Sequence, residues 1–315
     1  MAMVNNIKVF AGSASKNLAT LICENLGVPL GSSESHKFYN DNMFVCIGEN
    51  VRESDVFVVQ TCDSPVNDNL MELLMLINAL KGASAKRVTA IIPHFFYQQS
   101  DKKDQPRICI TARLVADMLT TAGADRVLTI DLHAAQIQGF FVCPVDNLTA
   151  TPLLCDHFAR RNIPDLVLVS TDVGRANLVR RYARRLNAPL AVIDKVRISE
   201  TETHSVNIIG DVKGKNVLLI DDIIGTGGSL IGAAELVMDK GANAVYAGAI
   251  HGVLAGDAVT RLEHSIISGI VVMDTIYVPA KLGPDTKFEV LTVAPLVAKA
   301  IHNINAGESI SALFT

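Results

Sequence analysis

Residues 217–229 read Val217-Leu218-Leu219-Ile220-Asp221-Asp222-Ile223-Ile224-Gly225-Thr226-Gly227-Gly228-Ser229, and this stretch decides the fold. An apolar run over 217–220 ends in two adjacent carboxylates, crosses a glycine-rich turn carrying hydroxyls, and enters an amphipathic stretch from Leu230 to Met238. That order is strand, loop, helix. A helix start leaves its first backbone N–H groups unbonded and carries the positive end of the peptide dipoles. The N–H groups of Gly227 and Gly228, with the hydroxyls of Thr226 and Ser229, therefore form a candidate phosphate cradle. Asp221 and Asp222, at the strand's carboxyl end, can accept hydrogen bonds from sugar hydroxyls or help hold a divalent cation. Phosphate at one end and a polyol at the other point to a phosphorylated sugar.

Thr-Gly-Gly-Ser before a helix is by itself commonly just a capped turn. Two neighbouring carboxylates at the end of a buried strand are harder to dismiss, because they repel each other and lose hydration. No Gly-Lys-Ser/Thr follows, so this is not a Walker A loop. The combination resembles the phosphoribosyl-diphosphate loop shared by phosphoribosyltransferases and ribose-phosphate diphosphokinases.

Outward from this loop, short β-rich runs alternate with helical periodicity along nearly the whole chain. Strands are expected at 7–11, 56–60, 87–93, 126–131, 166–170, 190–194, 217–220, 244–250, 269–274 and 288–293. Helices are expected near 15–26, 68–80, 111–121, 174–185, 228–238, 257–262 and 294–303. Such alternation implies an α/β fold of mainly parallel sheets flanked by helices. Three similar helix-to-strand corners, Lys81-Gly82-Ala83, Ala122-Gly123-Ala124 and Lys240-Gly241-Ala242, each put glycine where a left-handed cap is expected. They suggest two similarly built halves, divided near 147–152: an N-terminal domain over 1–149, a C-terminal domain over 150–304 and a tail over 305–315 that packs on the first domain or on a neighbour. Residues 37–47 read as an extended antiparallel excursion.

The 315 residues carry 28 basic and 32 acidic side chains, a net charge of −4 that argues against a dedicated nucleic-acid binder. The six cysteines (23, 46, 62, 109, 143 and 155) lack metal-ligand or redox spacing, as expected of buried thiols in a reducing cytoplasm. No signal-peptide pattern opens the sequence, and no apolar run nears the roughly 20 residues of a membrane span.

Further chemistry-bearing residues fall at strand ends, where ligands gather in doubly wound sheets. Asp131-Leu132-His133 follows one strand, and Ser170-Thr171-Asp172 follows another, with Asp172 by itself reading first as a helix cap or first-turn acid. Asp194-Lys195-Val196-Arg197 ends a third and meets the polar stretch 198–205; its two cations either clamp phosphates or are surface charge. The loop 97–107 is basic, with Lys102, Lys103 and Arg107.

Taken together, the chain resembles the ribose-phosphate diphosphokinase family. The stretches that carry the resemblance are Glu49-Asn50-Val51-Arg52 with Asp55-Val56-Phe57, Leu114 to Leu119, Ala122 to Asn147, Ile209 to Lys215 and the loop quoted above. The resemblance implies two phosphoribosyltransferase-like domains assembled into dimers and hexamers. It implies transfer of the diphosphoryl group of MgATP to the 1-hydroxyl of ribose 5-phosphate, releasing AMP. Asp221, Asp222, Gly225, Thr226, Gly227, Gly228 and Ser229 would then hold ribose 5-phosphate, and Lys195 and Arg197 would be catalytic. Asp131, His133 and Asp172 would serve Mg2+. Phe38, Asn40, Asn42, Gln99, Ser100, Asp101, Arg107 and His133 would contact ATP, and Arg52, Ser309 and Ser311 regulatory phosphate or ADP.

The chain also departs from the family pattern. Phe38-Tyr39-Asn40-Asp41-Asn42 replaces an acidic segment that normally reaches a neighbour's adenine, and Gln99-Ser100-Asp101 replaces Arg-Gln-Asp. Gly225 stands where a third acid of the sugar loop is usual, and Val142 where a metal-associated acid is usual. Reacting-centre residues survive and adenine-side residues do not. An active enzyme with altered nucleotide contacts is the first expectation; a non-catalytic associated subunit and a base phosphoribosyltransferase are the alternatives.

Overall fold

The computed structural model describes residues 6–196 and 205–313. The chain forms two compact units, one of Met1–Ala150, Thr275–Tyr277 and Thr292–Thr315, the other of Thr151–Asp274 and Val278–Leu291.

In the first unit the order is β1 (Ile7–Ala11), α1 (Lys16–Leu26), β2 (Ser33–Lys37), β3 (Met43–Ile47), β4 (Asp55–Val59), α2 (Val66–Gly82), β5 (Arg87–Ile92), α3 (Thr111–Ala122), β6 (Arg126–Ile130) and β7 (Val145–Leu148). Among the described residues, β1-β4-β5-β6-β7 pair in that order, all parallel. β4 is buried along its whole length, as a parallel strand covered on both faces must be. β2 and β3 form the separate antiparallel hairpin expected near 37–47. Phe10, Val58, Leu73, Ile77, Phe95 and Leu119 lie in the core between sheet and helices.

The second unit runs α4 (Thr151–Arg161), β8 (Leu166–Ser170), α5 (Ala176–Arg185), β9 (Leu190–Val196), β10 (Ser205–Ile209), β11 (Asn216–Ile224), α6 (Gly228–Asp239), β12 (Ala244–Gly252), α7 (Ala258–Glu263), β13 (Gly269–Met273) and β14 (Phe288–Leu291). Its sheet has the order β10-β9-β8-β11-β12-β13-β14. The pairs are parallel except β10 on β9. From β8 the chain moves outward to β9, then returns to place β11 on the other side of β8. The carboxyl ends of β8 and β11 thus flank a topological switch point, where the flanking loops diverge and leave a crevice.

β11 does not end at 220 but continues through both carboxylates to Ile224, because its register with β12 extends from Asn216↔Ala244 to Ile224↔Gly252. Strand β7 ends and helix α4 begins within the join read at 147–152, and neither element was among the expected strands and helices. Gly82 stays helical as the last residue of α2; Ser84 takes the left-handed conformation instead, at φ 68°. The helix α8 (Ala294–Ala306), expected with the second domain, belongs to the first unit, where it packs on α1. Asp55 explains the attachment: it pairs with Arg87, accepts from Asn305 Nδ2 at 2.9 Å, and Arg87 Nη2 also donates to the Ile304 carbonyl at 3.0 Å. The described tail lies in the same unit, with Leu313 buried. Residues 275–277 join it too, through Thr61 Oγ1 donating to the Thr275 carbonyl at 2.6 Å. No helix among the described residues is long and apolar enough to cross a membrane.

Candidate active site

At the switch point of the second unit, Ile220 of β11 lies opposite Ser170 of β8, which brings Thr171 beside Asp221. Thr171 Oγ1 donates to Asp221 Oδ2 at 3.3 Å, and the Asp222 backbone N–H donates to Asp221 Oδ1 at 2.9 Å. Asp222 is buried, with Arg175 Nη2 at 3.1 Å from its Oδ1; Arg175 Nε lies 3.7 Å from Asp221 Oδ1. Burial, then hydrogen bonding to Asp222 and its charge, push the Asp221 carboxyl up to about 7, with Arg175 opposing. Asp172 caps the short helical turn Val173–Arg175 that precedes α5, its Oδ1 accepting from the Arg175 N–H at 2.9 Å. It remains exposed.

Beyond β11 the loop turns at Gly227, whose φ of 76° makes it the left-handed residue before α6. A Cβ at Gly227 would meet three Leu262 side-chain carbons at 3.0–3.2 Å, whereas one at Gly225 meets nothing within 4 Å. Arg261 Nη1 braces the turn by donating to the Thr226 carbonyl at 3.3 Å. The first N–H groups of α6, a helix of 12 residues with no side-chain cap, follow directly on Thr226 and Gly227 of the loop, and Ser229 lies in the first turn of the helix itself. Gly227→Ala is therefore expected to lower Tm by about 4–8 °C, from the cost of left-handed backbone with a Cβ plus the Leu262 contact. Gly225→Ala should stay within about 2 °C of wild type; calorimetry of the two variants checks the contrast.

Lys195 is the penultimate residue of β9, paired with Val206 of β10. Val192 pairs with Ser170, so β9 overruns the end of β8 and carries Lys195 to the carboxyl edge of the sheet. Arg197 lies outside the described residues.

In the first unit, Asp131 takes φ 42° directly after β6. Its Oδ1 accepts from Thr149 Oγ1 at 2.8 Å and its Oδ2 from the Ala150 N–H at 2.7 Å, so the carboxylate fastens the chain between β7 and α4. The next N–H groups are held as well: Leu132 donates to Asn147 Oδ1 and His133 to Gln98 Oε1, each at 3.0 Å. Asp101 is buried and accepts from Gln136 Nε2 at 3.1 Å. Ser100 Oγ donates to the Cys109 carbonyl at 3.1 Å, while Gln99 and Arg107 are exposed. Phe38 forms an aromatic cluster with His36 and Phe44 on the β2–β3 hairpin, whose turn is fixed by the Asn42 N–H donating to Asn40 Oδ1 at 3.3 Å. Arg52 is exposed after β3; Ser309 and Ser311 are exposed after α8, linked by the Ser311 N–H on Ser309 Oγ at 3.1 Å. Among the described residues, no three His, Cys, Asp or Glu side chains form a metal-holding group.

Comparison with known proteins bears on what such a site does. The family model for the N-terminal domain of ribose phosphate pyrophosphokinase matches residues 7–123, and that for the phosphoribosyl synthetase-associated domain matches 195–315. The ribose-phosphate pyrophosphokinase of Caldanaerobacter subterraneus subsp. tengcongensis is 48% identical over 312 residues, covering 99% of this chain and 98% of its own. The ribose-phosphate pyrophosphokinase of Deinococcus radiodurans is also 48% identical over 312 residues, covering 98% of this chain and 97% of its own. The chain belongs to the ribose-phosphate pyrophosphokinase family. The phosphoribosylpyrophosphate synthetase of Mycobacterium smegmatis has the same fold in its crystal structure: TM-score 0.91 at 41% identity, over 96% of this chain and 100% of that one.

For this ribose-phosphate pyrophosphokinase-family chain, sequence reasoning placed Thr171 at a strand end without tying it to the acid pair, and gave Arg175 no role. Only the adjacency of β8 and β11 joins them to the acid pair. The raised carboxyl also sets a pH dependence. Asp221 binds its proton more tightly folded than at its ordinary value of 3.8, so its contribution to stability is full below that value and lost as pH rises through about 7. Wild type minus Asp221→Asn is thus expected to lose relative stability from pH 4 to 7, read from urea midpoints.

Proposed function

We propose that this chain makes 5-phosphoribosyl 1-diphosphate and AMP from ATP and ribose 5-phosphate, for nucleotide biosynthesis. The observation that carries this reading is the acid pair and glycine-rich helix start at a switch-point crevice, in a chain that matches family members over nearly their whole length. The N–H groups and hydroxyls over 225–229 hold the 5-phosphate, and Asp221 accepts from the ribose hydroxyls, which leaves the 1-hydroxyl pointing away from the anchored end. As the 1-hydroxyl loses its proton to water, its oxygen forms a bond to the β-phosphorus while the bond from that phosphorus to the bridging α–β oxygen breaks, and AMP leaves with that oxygen. Lys195 and Arg197 meet the negative charge of the group in transfer.

His133 and Asp172 are the residues we assign to Mg2+, which when bound neutralises phosphate charge. An exposed carboxylate suits this ion, which keeps several waters and takes one or two protein ligands along with substrate phosphates. Asp131 then positions His133 through its hold on the chain. On the nucleotide side, exposed Phe38, Gln99 and Arg107 form the contact surface, with Asn40, Asn42, Ser100 and Asp101 shaping the two loops. Arg52, Ser309 and Ser311 are assigned to regulatory anions. Self-association into dimers and hexamers belongs to the same reading.

The test is product analysis with ATP, ribose 5-phosphate and Mg2+, extended to GTP and CTP because of the altered adenine-side residues. AMP and 5-phosphoribosyl 1-diphosphate should appear in equal amounts. No nucleoside monophosphate from any triphosphate would contradict the proposal and favour a non-catalytic subunit.

A further inference from the structure

Arg175 is the least expected member of the site. Its backbone is fixed at the start of α5 by the Asp172 cap, with its N–H donating to Asp172 Oδ1 at 2.9 Å. Its side chain reaches across the switch point to both acids, Nη2 at 3.1 Å from Asp222 and Nε at 3.7 Å from Asp221. The side chains are largely covered, Arg175 at 21% exposure, Asp221 at 20% and Asp222 at 8%, so water screens this contact less than it would a surface pair. A guanidinium is permanently charged and offers donors but no acceptor lone pair. It therefore satisfies carboxylates as a cation does, yet cannot itself ligate a metal.

Two adjacent carboxylates without such a partner would draw a divalent cation. Here a fixed positive charge already stands within 4 Å of both. Any metal ion at the pair would have to displace Arg175 or sit beside it, and at such distances like charges repel by far more than thermal energy. Sugar hydroxyls suffer no such repulsion and can donate to Asp221, whose Oδ1 and Oδ2 can each accept a further bond besides those from the Asp222 N–H and Thr171 Oγ1.

Resting on the reading of this loop as the ribose 5-phosphate site, we propose that Arg175 is the resident counter-ion of the acid pair, taking the place of a divalent cation. The ribose half of the site binds its sugar phosphate without a metal of its own, and metal enters with the nucleotide. Arg175 thereby separates the metal requirement of the two substrates.

The experiment measures two bindings to the full-length, nucleotide-free protein: Mn2+ by electron paramagnetic resonance, and ribose 5-phosphate by calorimetry in EDTA. Wild type should bind ribose 5-phosphate in EDTA. Arg175→Gln should bind Mn2+ at least about tenfold more tightly than wild type, Arg175→Lys should stay near wild type because it keeps the charge, and Arg175→Gln with Asp221→Asn should lose the gain. Unchanged Mn2+ affinity in Arg175→Gln, or an equal gain in Arg175→Lys, would overturn the proposal. So would wild-type ribose 5-phosphate binding that vanishes in EDTA and returns with Mg2+, an outcome that leaves the sugar site standing. Failure to bind ribose 5-phosphate with or without metal would instead sink the underlying site reading. Should Arg175→Gln not fold, the EDTA measurement on wild type still decides.

Discussion

Lys195→Ala is expected to lower kcat by about 10²–10³-fold, with little change in KM for ribose 5-phosphate. The group in transfer is polyanionic, and a fixed cation beside it stabilises charge that is redistributed only as the bond to phosphorus forms and breaks. The backbone supplies the placement: β9 runs past the end of β8, so Lys195 stands at the sheet's carboxyl edge, the same edge from which Asp172 and Asp221 emerge. Arginine at this position should recover part of the rate, because the charge remains while its geometry changes. Steady-state kinetics of the two variants checks this. A loss below threefold in the alanine variant would remove Lys195 from the reaction.

Above pH 7, where Asp221 is ionised, Asp221→Asn should weaken ribose 5-phosphate binding by about 10–100-fold, the cost of replacing charge-assisted hydrogen bonds with neutral ones of similar geometry. The effect should fall mainly on substrate affinity, because the ribose hydroxyls are held equally before and during transfer. Asp222 plays a different part. It is buried and paired with Arg175 at 3.1 Å, so Asp222→Asn removes the nearer of the two carboxylates that face the guanidinium and should destabilise the second unit by about 3–5 kcal/mol. Calorimetric titration of the first variant and urea unfolding of the second separate recognition from support. Equal ribose 5-phosphate affinity in wild type and Asp221→Asn would contradict the assignment.

The α/β alternation and the strand–loop–helix unit at 217–229 were legible because hydrophobic period and glycine placement are local properties. Element ends were less so. Charge at Asp221 suggested that the strand stops at 220, yet the ladder to β12 holds the backbone extended to Ile224 whatever the side chains carry. Strand β10 was hidden because its identity depends on antiparallel pairing with β9 rather than on its own pattern. Helix α4, with Thr151-Pro152 at its start and Arg160-Arg161 at its end, was not among the expected helices and begins at the edge of the join read at 147–152. Arg175 was out of reach for the same reason as β10: fifty residues of sequence separate Thr171 from Asp221, and only sheet order brings them together. The return of α8 to the first unit likewise depends on Asp55, Arg87 and Asn305, far apart in sequence.

Determining the structure with ribose 5-phosphate bound tests the central claim most directly. Phosphate oxygens are expected within hydrogen-bonding distance of backbone N–H groups over 226–229, with the ribose hydroxyls on Asp221. Phosphate bound elsewhere, with this loop empty at saturating ligand, would contradict it.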